Sequence, residues 1–217
     1  MATRRTSASR QPAELVKDEP KAAIASCHTS PQEYAICVRS LPQIWVITGL
    51  MAAGKSTIAQ ALAERLPRSV HLRGDAFRKM IVRGREDMTA QASAEALAQL
   101  KFRHRLACDV AMAYVSAGFA VVYQDVILGA YLSEIAAWLS PLDTGIVVLN
   151  PSLDVLAERD RTRIKRAYGP IWTPQTLTEG LATMPQLGLW LDTSKLSISQ
   201  TVDRILAAPD IARRRVV

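Results

Sequence analysis

Cysteine is scarce in these 217 residues: Cys27, Cys37 and Cys108 are odd in number and widely spaced. Such a set builds neither a disulfide framework nor a zinc knuckle, and a reducing cytosol is the compartment it fits. Histidine is equally sparse, and His28, His71 and His104 stand at no metal-ligand spacing. Long apolar runs are missing too. Uncharged stretches such as Val121 to Tyr123 and Ile146 to Leu149 fall far short of a membrane span, so the chain reads as soluble and cytoplasmic, with no membrane partner. Residues 1–30 set Arg4, Arg5 and Arg10 against Glu14, Asp18 and Glu19 without an apolar core. This pattern argues against a signal peptide and against an acid-poor transit peptide. The formal charge of +7 sits partly in the tails, including Arg213 to Arg215, and partly in one arginine cluster. No basic stripe interleaved with aromatics accompanies it, which speaks against nucleic acid as a partner.

What is present begins at Ile44. Five residues, Ile44 to Thr48, form a β-branched and aromatic run that enters Gly49, and Gly54, Lys55 and Ser56 complete the spacing G-x-x-x-x-G-K-S. Glycines at these positions let the backbone of Gly49, Leu50, Met51, Ala52, Ala53 and Gly54 curl until successive N–H groups point inward at an anion. Lys55 reaches β- and γ-phosphates in such a loop, and the Ser56 hydroxyl, followed by Thr57, is a ligand for Mg²⁺. The four fixed positions meet by chance in roughly one chain in a hundred of this length. Context sharpens the match, because a strand precedes it and Ile58, Leu62 and Leu66 follow at helical spacing.

Further along, Ser69 to Arg73 reads as a second strand and Gly74 to Val82 as a helix. Asp75 therefore falls at the carboxyl end of a strand, where parallel α/β sheets bind ligands. It is a candidate to accept the proton of an attacking hydroxyl, with a plain helix N-cap as the competing role. A long helix is expected from Thr89 to Ala117, with Leu106, Val110 and Ala113 as its apolar stripe and Lys101, Arg103 and Arg105 on a solvated face. Phe119 to Tyr123 predicts a central strand ending at Gln124-Asp125, and Asp125 is the carboxylate available there either to hold Mg²⁺ or to cap the turn. Tyr131 to Leu139 predicts a helix, Gly145 to Leu149 a strand, and Ser152 to Arg163 a helix that runs into the cluster Arg159, Arg161, Arg163, Lys165 and Arg166. Arginines there are placed to fold over phosphates and exclude water. Leu187 to Leu191 and Ser199 to Ala207 predict the last strand and helix. Strands alternating with helices give a three-layer α/β domain around about five parallel strands. Residues 1–42 are expected as a mobile arm carrying a short helix from Ser30, residues 43–208 as the domain, and residues 209–217 as a basic tail.

The segments GLMAAGKST, HLRGDAFRKMI, VVYQDVILG, ERDRTRIKR and LWLDTSKLS, in that order, resemble the P-loop small-molecule kinases, most closely the chloramphenicol phosphotransferase-like group, over roughly residues 43 to 208. The resemblance implies a nucleoside-monophosphate-kinase type fold with strand order 2-3-1-4-5 and ATP with Mg²⁺ as phosphoryl donor. It implies Lys55 and Ser56 as phosphate and metal contacts and Asp75 as the base. Arg159 matches an arginine near adenine, Arg163 and Arg166 match lid arginines, and Asp192, Thr193 and Ser194 match the loop beside the base. Related kinases often carry an acid where this chain has Gln124, so the metal role moves to Asp125 or is shared with Asp75, although strand neighbours face opposite sides.

Together these point to transfer of a phosphoryl group from ATP to a hydroxyl of a small molecule, an antibiotic among the candidates. Phe77, Met80, Trp172 and Met184 suggest a less polar acceptor. Sugar, gluconate or nucleotide-sugar kinases share the chemistry with a more polar pocket, while a nucleic-acid end kinase or a non-catalytic nucleotide switch would use the same loop differently. No heptad or exposed apolar stripe fixes an oligomeric state.

Overall fold

The computed structural model describes residues 41–89, 91–162, 168–169 and 173–213, with 174–177 described by their backbone alone. Residues 1–40 of the expected arm with its Ser30 helix, the arginines Arg163 and Arg166, and Trp172 lie outside the described residues.

Five strands make one parallel sheet in the order β2-β3-β1-β4-β5: β1 is Ile44–Gly49, β2 Ser69–Arg73, β3 Ala120–Gln124, β4 Thr144–Leu149 and β5 Leu189–Leu191. Every pairing is parallel, with Ile44 opposite both Val121 and Thr144. The three central strands are continuous apolar runs because helices cover both faces. Ile44 to Ile47, Val121 to Tyr123 and Ile146 to Leu149 are all fully buried. Eight helices are described: α1 (Lys55–Glu64), α2 (Gly74–Met80), α3 (Ala94–Ser116), α4 (Tyr131–Trp138), α5 (Leu153–Arg161), α6 (Pro174–Ala182), α7 (Ile198–Leu206) and α8 (Pro209–Ala212). None of the described helices is long and apolar enough to cross a membrane.

Three local readings are corrected. The buried face of α3 is Ala96, Arg103, His104, Ala107, Cys108 and Ala111, whereas Leu106 and Val110 are only partly covered and Ala113 is exposed. Small side chains let the helix backbone approach the sheet, so side-chain size misjudged which face packs inward. Arg103, expected on a solvated face, travels with that buried stripe. Second, Pro174 starts helix α6 in a stretch where no helix was expected, in keeping with proline's tolerance in a helix's first turn. Third, residues 209–213 are not a free tail. Ala212 is fully buried, α8 packs on β4, and the Arg213 guanidinium donates twice to the Asp143 carboxylate, at 2.7 and 2.8 Å.

Candidate functional site

The loop after β1 curls through three left-handed residues. Gly49 has φ 140°, Ala52 φ 62° and Gly54 φ 93°. Gly49 also tolerates no side chain, because a Cβ there would sit 2.3 Å from the Leu149 carbonyl oxygen. Ala52 takes a conformation disfavoured for residues with a Cβ, so the curl is not the work of glycine alone. Gly54 serves as N-cap of α1 without any side-chain hydrogen bond, leaving the first-turn amides open at the positive end of the helix. Lys55 is buried, and its Nζ donates to the Leu50 carbonyl at 2.8 Å, which folds the ammonium over the loop.

Beside this loop lies a cavity of about 240 Å³ lined by Ala53, Gly54, Thr57, Ile58, Arg159, Thr193, Leu196, Ile198 and Thr201. Three chain segments far apart in sequence meet there. Arg159 Nη1 donates to the Ala53 carbonyl at 3.3 Å and Nη2 to the Thr193 carbonyl at 2.9 Å, so one guanidinium joins the phosphate loop to the exit of β5. The Thr193 hydroxyl is buried and without a hydrogen-bond partner, so it is the Thr193 carbonyl that ties this turn to Arg159. Its neighbours do something else: Asp192 accepts from the Ser194 amide and hydroxyl, and the Ser194 oxygen accepts from Ser152 N–H, so these two build the turn. Tyr168 was not singled out from sequence, yet its hydroxyl donates to the Met51 carbonyl at 2.6 Å and straps the segment after α5 to the loop.

On the other flank of β1, the Ser56 hydroxyl lies 3.4 Å from Gln124 Oε1. Gln124 thus takes the place beside Ser56, and Asp125, one residue on, turns toward α2. Its Oδ1 accepts the Val126 amide at 2.8 Å, and its Oδ2 packs so closely on Gly74 that a Cβ there would be 2.0 Å away. Burial pushes the Asp125 carboxyl up to about 6, against the opposing pull of the Val126 N–H and of Lys55. His104 Nε2 stands 3.8 Å from Asp125 Oδ2, beyond hydrogen-bond reach, and burial lowers this imidazole to about 4.

Asp75 sits in the first turn of α2 and is half-exposed. Arg78 Nε approaches it at 2.8 Å and Lys79 Nζ at 2.6 Å. Partial burial opposes ionisation, but these two cations outweigh it and hold the carboxyl below its ordinary value. Phe77 and Met184 are buried in the core and do not wall an open pocket, while Met80 is largely exposed. No group of three or more His, Cys, Asp or Glu able to hold a metal ion occurs among the described residues. The donors near the loop are a hydroxyl, an amide oxygen and a carboxylate, hard oxygens that suit Mg²⁺ brought in by phosphates and completed by water.

A family model described as an AAA domain matches residues 44–175. Several solved structures share the fold. An unliganded sugar kinase from Janibacter sp. is 21% identical with a TM-score of 0.57, over 78% of this chain and 95% of that one. The tunicamycin resistance protein of Deinococcus radiodurans is 23% identical with a TM-score of 0.57, over 76% and 93%. The APS kinase of Mycobacterium tuberculosis in complex with AMPPNP and APS is 17% identical with a TM-score of 0.56, over 77% and 96%. No curated protein matches the sequence. The five-stranded parallel sheet and its order are those of the P-loop kinase fold.

Proposed function

The chain belongs to the AAA domain family, and from that premise we propose that it is a cytoplasmic ATP- and Mg²⁺-dependent phosphotransferase acting on a hydroxyl of a small molecule. The observation that carries this reading is the convergence of the uncapped α1 amides, Arg159 and Thr193 on one cavity at the end of β1. In this reading the triphosphate lies along the loop amides, Lys55 leaves the Leu50 carbonyl for the β- and γ-phosphates, and Arg159 with Thr193 holds the base. Ser56, with Asp125 behind Gln124, would hold Mg²⁺, which when bound would neutralise charge on the phosphates. Arg163 and Arg166 are assigned to the lid by resemblance alone.

The acceptor oxygen attacks the γ-phosphorus. A new O–P bond forms as the bond to the bridging oxygen breaks, ADP leaves with that electron pair, and the hydroxyl proton passes to the Asp75 carboxylate. The cations around Asp75 keep it ionised and hence a weak base. A weak base suffices, because in a loose transition state the protein's contribution is chiefly orientation and charge stabilisation.

The chloramphenicol phosphotransferase resemblance favours an antibiotic acceptor. A sugar-type acceptor is the second reading. It is favoured because Phe77 and Met184 are core residues while charged groups, Asp75, Arg78 and Asp87, gather at the α2 end. The test is transfer from labelled ATP to a panel of antibiotics, sugars, sugar acids and nucleosides, with the product mass measured. With the accepted compound, Asp75→Asn is expected to lower turnover by about 100-fold or more while nucleotide affinity stays within about twofold. Near-normal turnover would remove Asp75 from this role.

A further inference from the structure

The turn at the tip of the phosphate loop is strained, and one side chain from outside the loop holds it. The Ala53 amide donates to the Leu50 carbonyl at 3.2 Å, which closes a β-turn over Leu50 to Ala53 with Met51 and Ala52 at its centre. Ala52 has φ 62° while Met51 stays out of the left-handed region, the pattern of a type II turn. Glycine is the usual residue at the third position of such a turn, because a Cβ disfavours positive φ. An alanine there is better suited to the type I turn, which differs by a flip of the central peptide, here the one joining Met51 to Ala52. The observed orientation therefore needs a partner that the flipped one would lose.

Tyr168 is that partner. Its hydroxyl donates to the Met51 carbonyl at 2.6 Å, and Met51, Ala52 and Tyr168 are all partly buried against the core. Flipping the peptide carries the Met51 oxygen away and breaks this bond. Tyr168 is itself fixed from behind, because its N–H donates at 3.3 Å to the carboxylate of Asp160, a residue of α5 only 5% exposed. The preceding residue of that helix, Arg159, donates to the Ala53 carbonyl at 3.3 Å. Two consecutive residues of α5 thus grip the turn, Arg159 directly at Ala53 and Asp160 through Tyr168 at Met51. A trans peptide sends its N–H opposite to its carbonyl, so drawing the Met51 oxygen toward Tyr168 turns the Ala52 N–H the other way. Among the described residues nothing accepts that N–H. Lys55 Nζ donates to the Leu50 carbonyl, which brings the ammonium to the same turn.

We propose that Tyr168 is a positioning residue of the phosphate site: by holding the peptide between Met51 and Ala52 in its type II orientation, it keeps the Ala52 N–H turned to the triphosphate. This rests on the phosphotransfer reading above and extends it to a residue beyond the loop. It also links phosphate binding to the segment after α5. Phosphate that takes the Ala52 N–H favours the peptide orientation that Tyr168 grips, and by reciprocity the grip favours phosphate.

The test is calorimetric titration of the full chain with Mg²⁺-AMPPNP and with inorganic triphosphate. Tyr168→Phe keeps the ring and removes only the hydroxyl, and it is expected to weaken triphosphate binding by about threefold or more, the loss of one hydrogen bond. Ala52→Gly gives the turn a residue that favours type II unaided. Tyr168→Phe added to Ala52→Gly is therefore expected to cost less than Tyr168→Phe alone, a coupling that the four proteins measure directly. A tyrosine that merely packed against the loop would cost the same in both backgrounds. Thermal unfolding without ligand checks that each variant is folded. A loss of triphosphate affinity below threefold in Tyr168→Phe, or one equally large in the Ala52→Gly background, would overturn the assignment. Failure of the parent protein to bind either ligand would instead overturn the phosphotransfer reading.

Discussion

Asp125 and His104 face each other across 3.8 Å, and burial moves their proton affinities in opposite directions, so their contributions to stability oppose one another with pH. The Asp125 carboxyl is raised to about 6 from an ordinary 3.8, so its favourable contribution is present at low pH and is lost as pH rises through 6. The His104 imidazole is lowered to about 4 from 6.5, so the folded protein gives up a proton that the unfolded chain keeps, and stability is lost as pH falls from 6.5 toward 4. Between roughly pH 4 and 6 the two slopes largely cancel. Asp125→Asn keeps the acceptor for the Val126 N–H and removes only the falling slope. It is expected to stabilise the protein at pH 8 by about 1–3 kcal/mol, and to expose a decline in stability between pH 6.5 and 4 that the parent lacks. Thermal unfolding of both proteins from pH 4 to 8 checks this, and a variant less stable than its parent at pH 8 would contradict it. At this scale the sequence was least legible. Asp125 could be named as a strand-end acid, but its turn toward Gly74, leaving Gln124 beside Ser56, depends on side-chain direction at the end of β3. Arg103 was given to a solvated face, and His104 was set aside because it stands at no metal-ligand spacing. The clue available was their spacing of four from Ala107, Cys108 and Ala111, a stripe of small residues that a count of large apolar ones ignores.

The contact between β3 and α2 is set by one glycine. With a Cβ at Gly74 only 2.0 Å from Asp125 Oδ2 and 2.8 Å from its Cβ, Gly74→Ala forces Asp125 out of its place. Overpacking of this kind is expected to destabilise by about 1–3 kcal/mol, and shortening the other partner in Gly74→Ala/Asp125→Ala is expected to restore most of it. Denaturant unfolding of the two single variants and the double variant gives the coupling directly. Simple additivity would show that the clash is absorbed elsewhere. A second element depends on its first turn. Helix α7 opens with a full capping box, in which the Ser197 hydroxyl accepts from the Gln200 amide and Gln200 Oε1 accepts from the Ser197 amide. Ser197→Ala is expected to cost about 1 kcal/mol in the same unfolding assay. At the scale of elements the sequence was informative, because β1, β3 and β4 are apolar runs and α1 follows a glycine-lysine-serine loop, signals that need no knowledge of partners. It failed where partners decide: α6 begins at Pro174 where no helix was expected, α8 begins at Pro209 inside the expected basic tail, and the expected last strand, Leu187 to Leu191, keeps only the three residues that pair with β4.

For the molecule as a whole, the cavity beside the phosphate loop is a junction between parts far apart in the sequence. Arg159 on α5, the loop before α1 and Thr193 after β5 come together there through two hydrogen bonds from a single guanidinium. A triphosphate bound across all three adds contacts present only in the folded state, so occupancy stabilises the entire domain by mass action. Mg²⁺-AMPPNP at about 100 times its Kd is expected to contribute about 2.7 kcal/mol, which for a domain of this size raises Tm by about 5–10 °C. The response is expected to require Lys55 and Arg159 for different reasons. Lys55→Ala removes the cation that meets the phosphates and is expected to abolish the shift for ATP analogues and inorganic triphosphate alike. Arg159→Ala leaves the loop amides intact, so triphosphate still raises Tm, whereas the extra rise that adenosine gives AMPPNP over triphosphate is lost. Differential scanning fluorimetry with the two ligands on the parent and both variants separates the roles. An adenosine increment that survives in Arg159→Ala would move base recognition away from this cavity, and a triphosphate response that survives in Lys55→Ala would remove the loop from phosphate binding altogether.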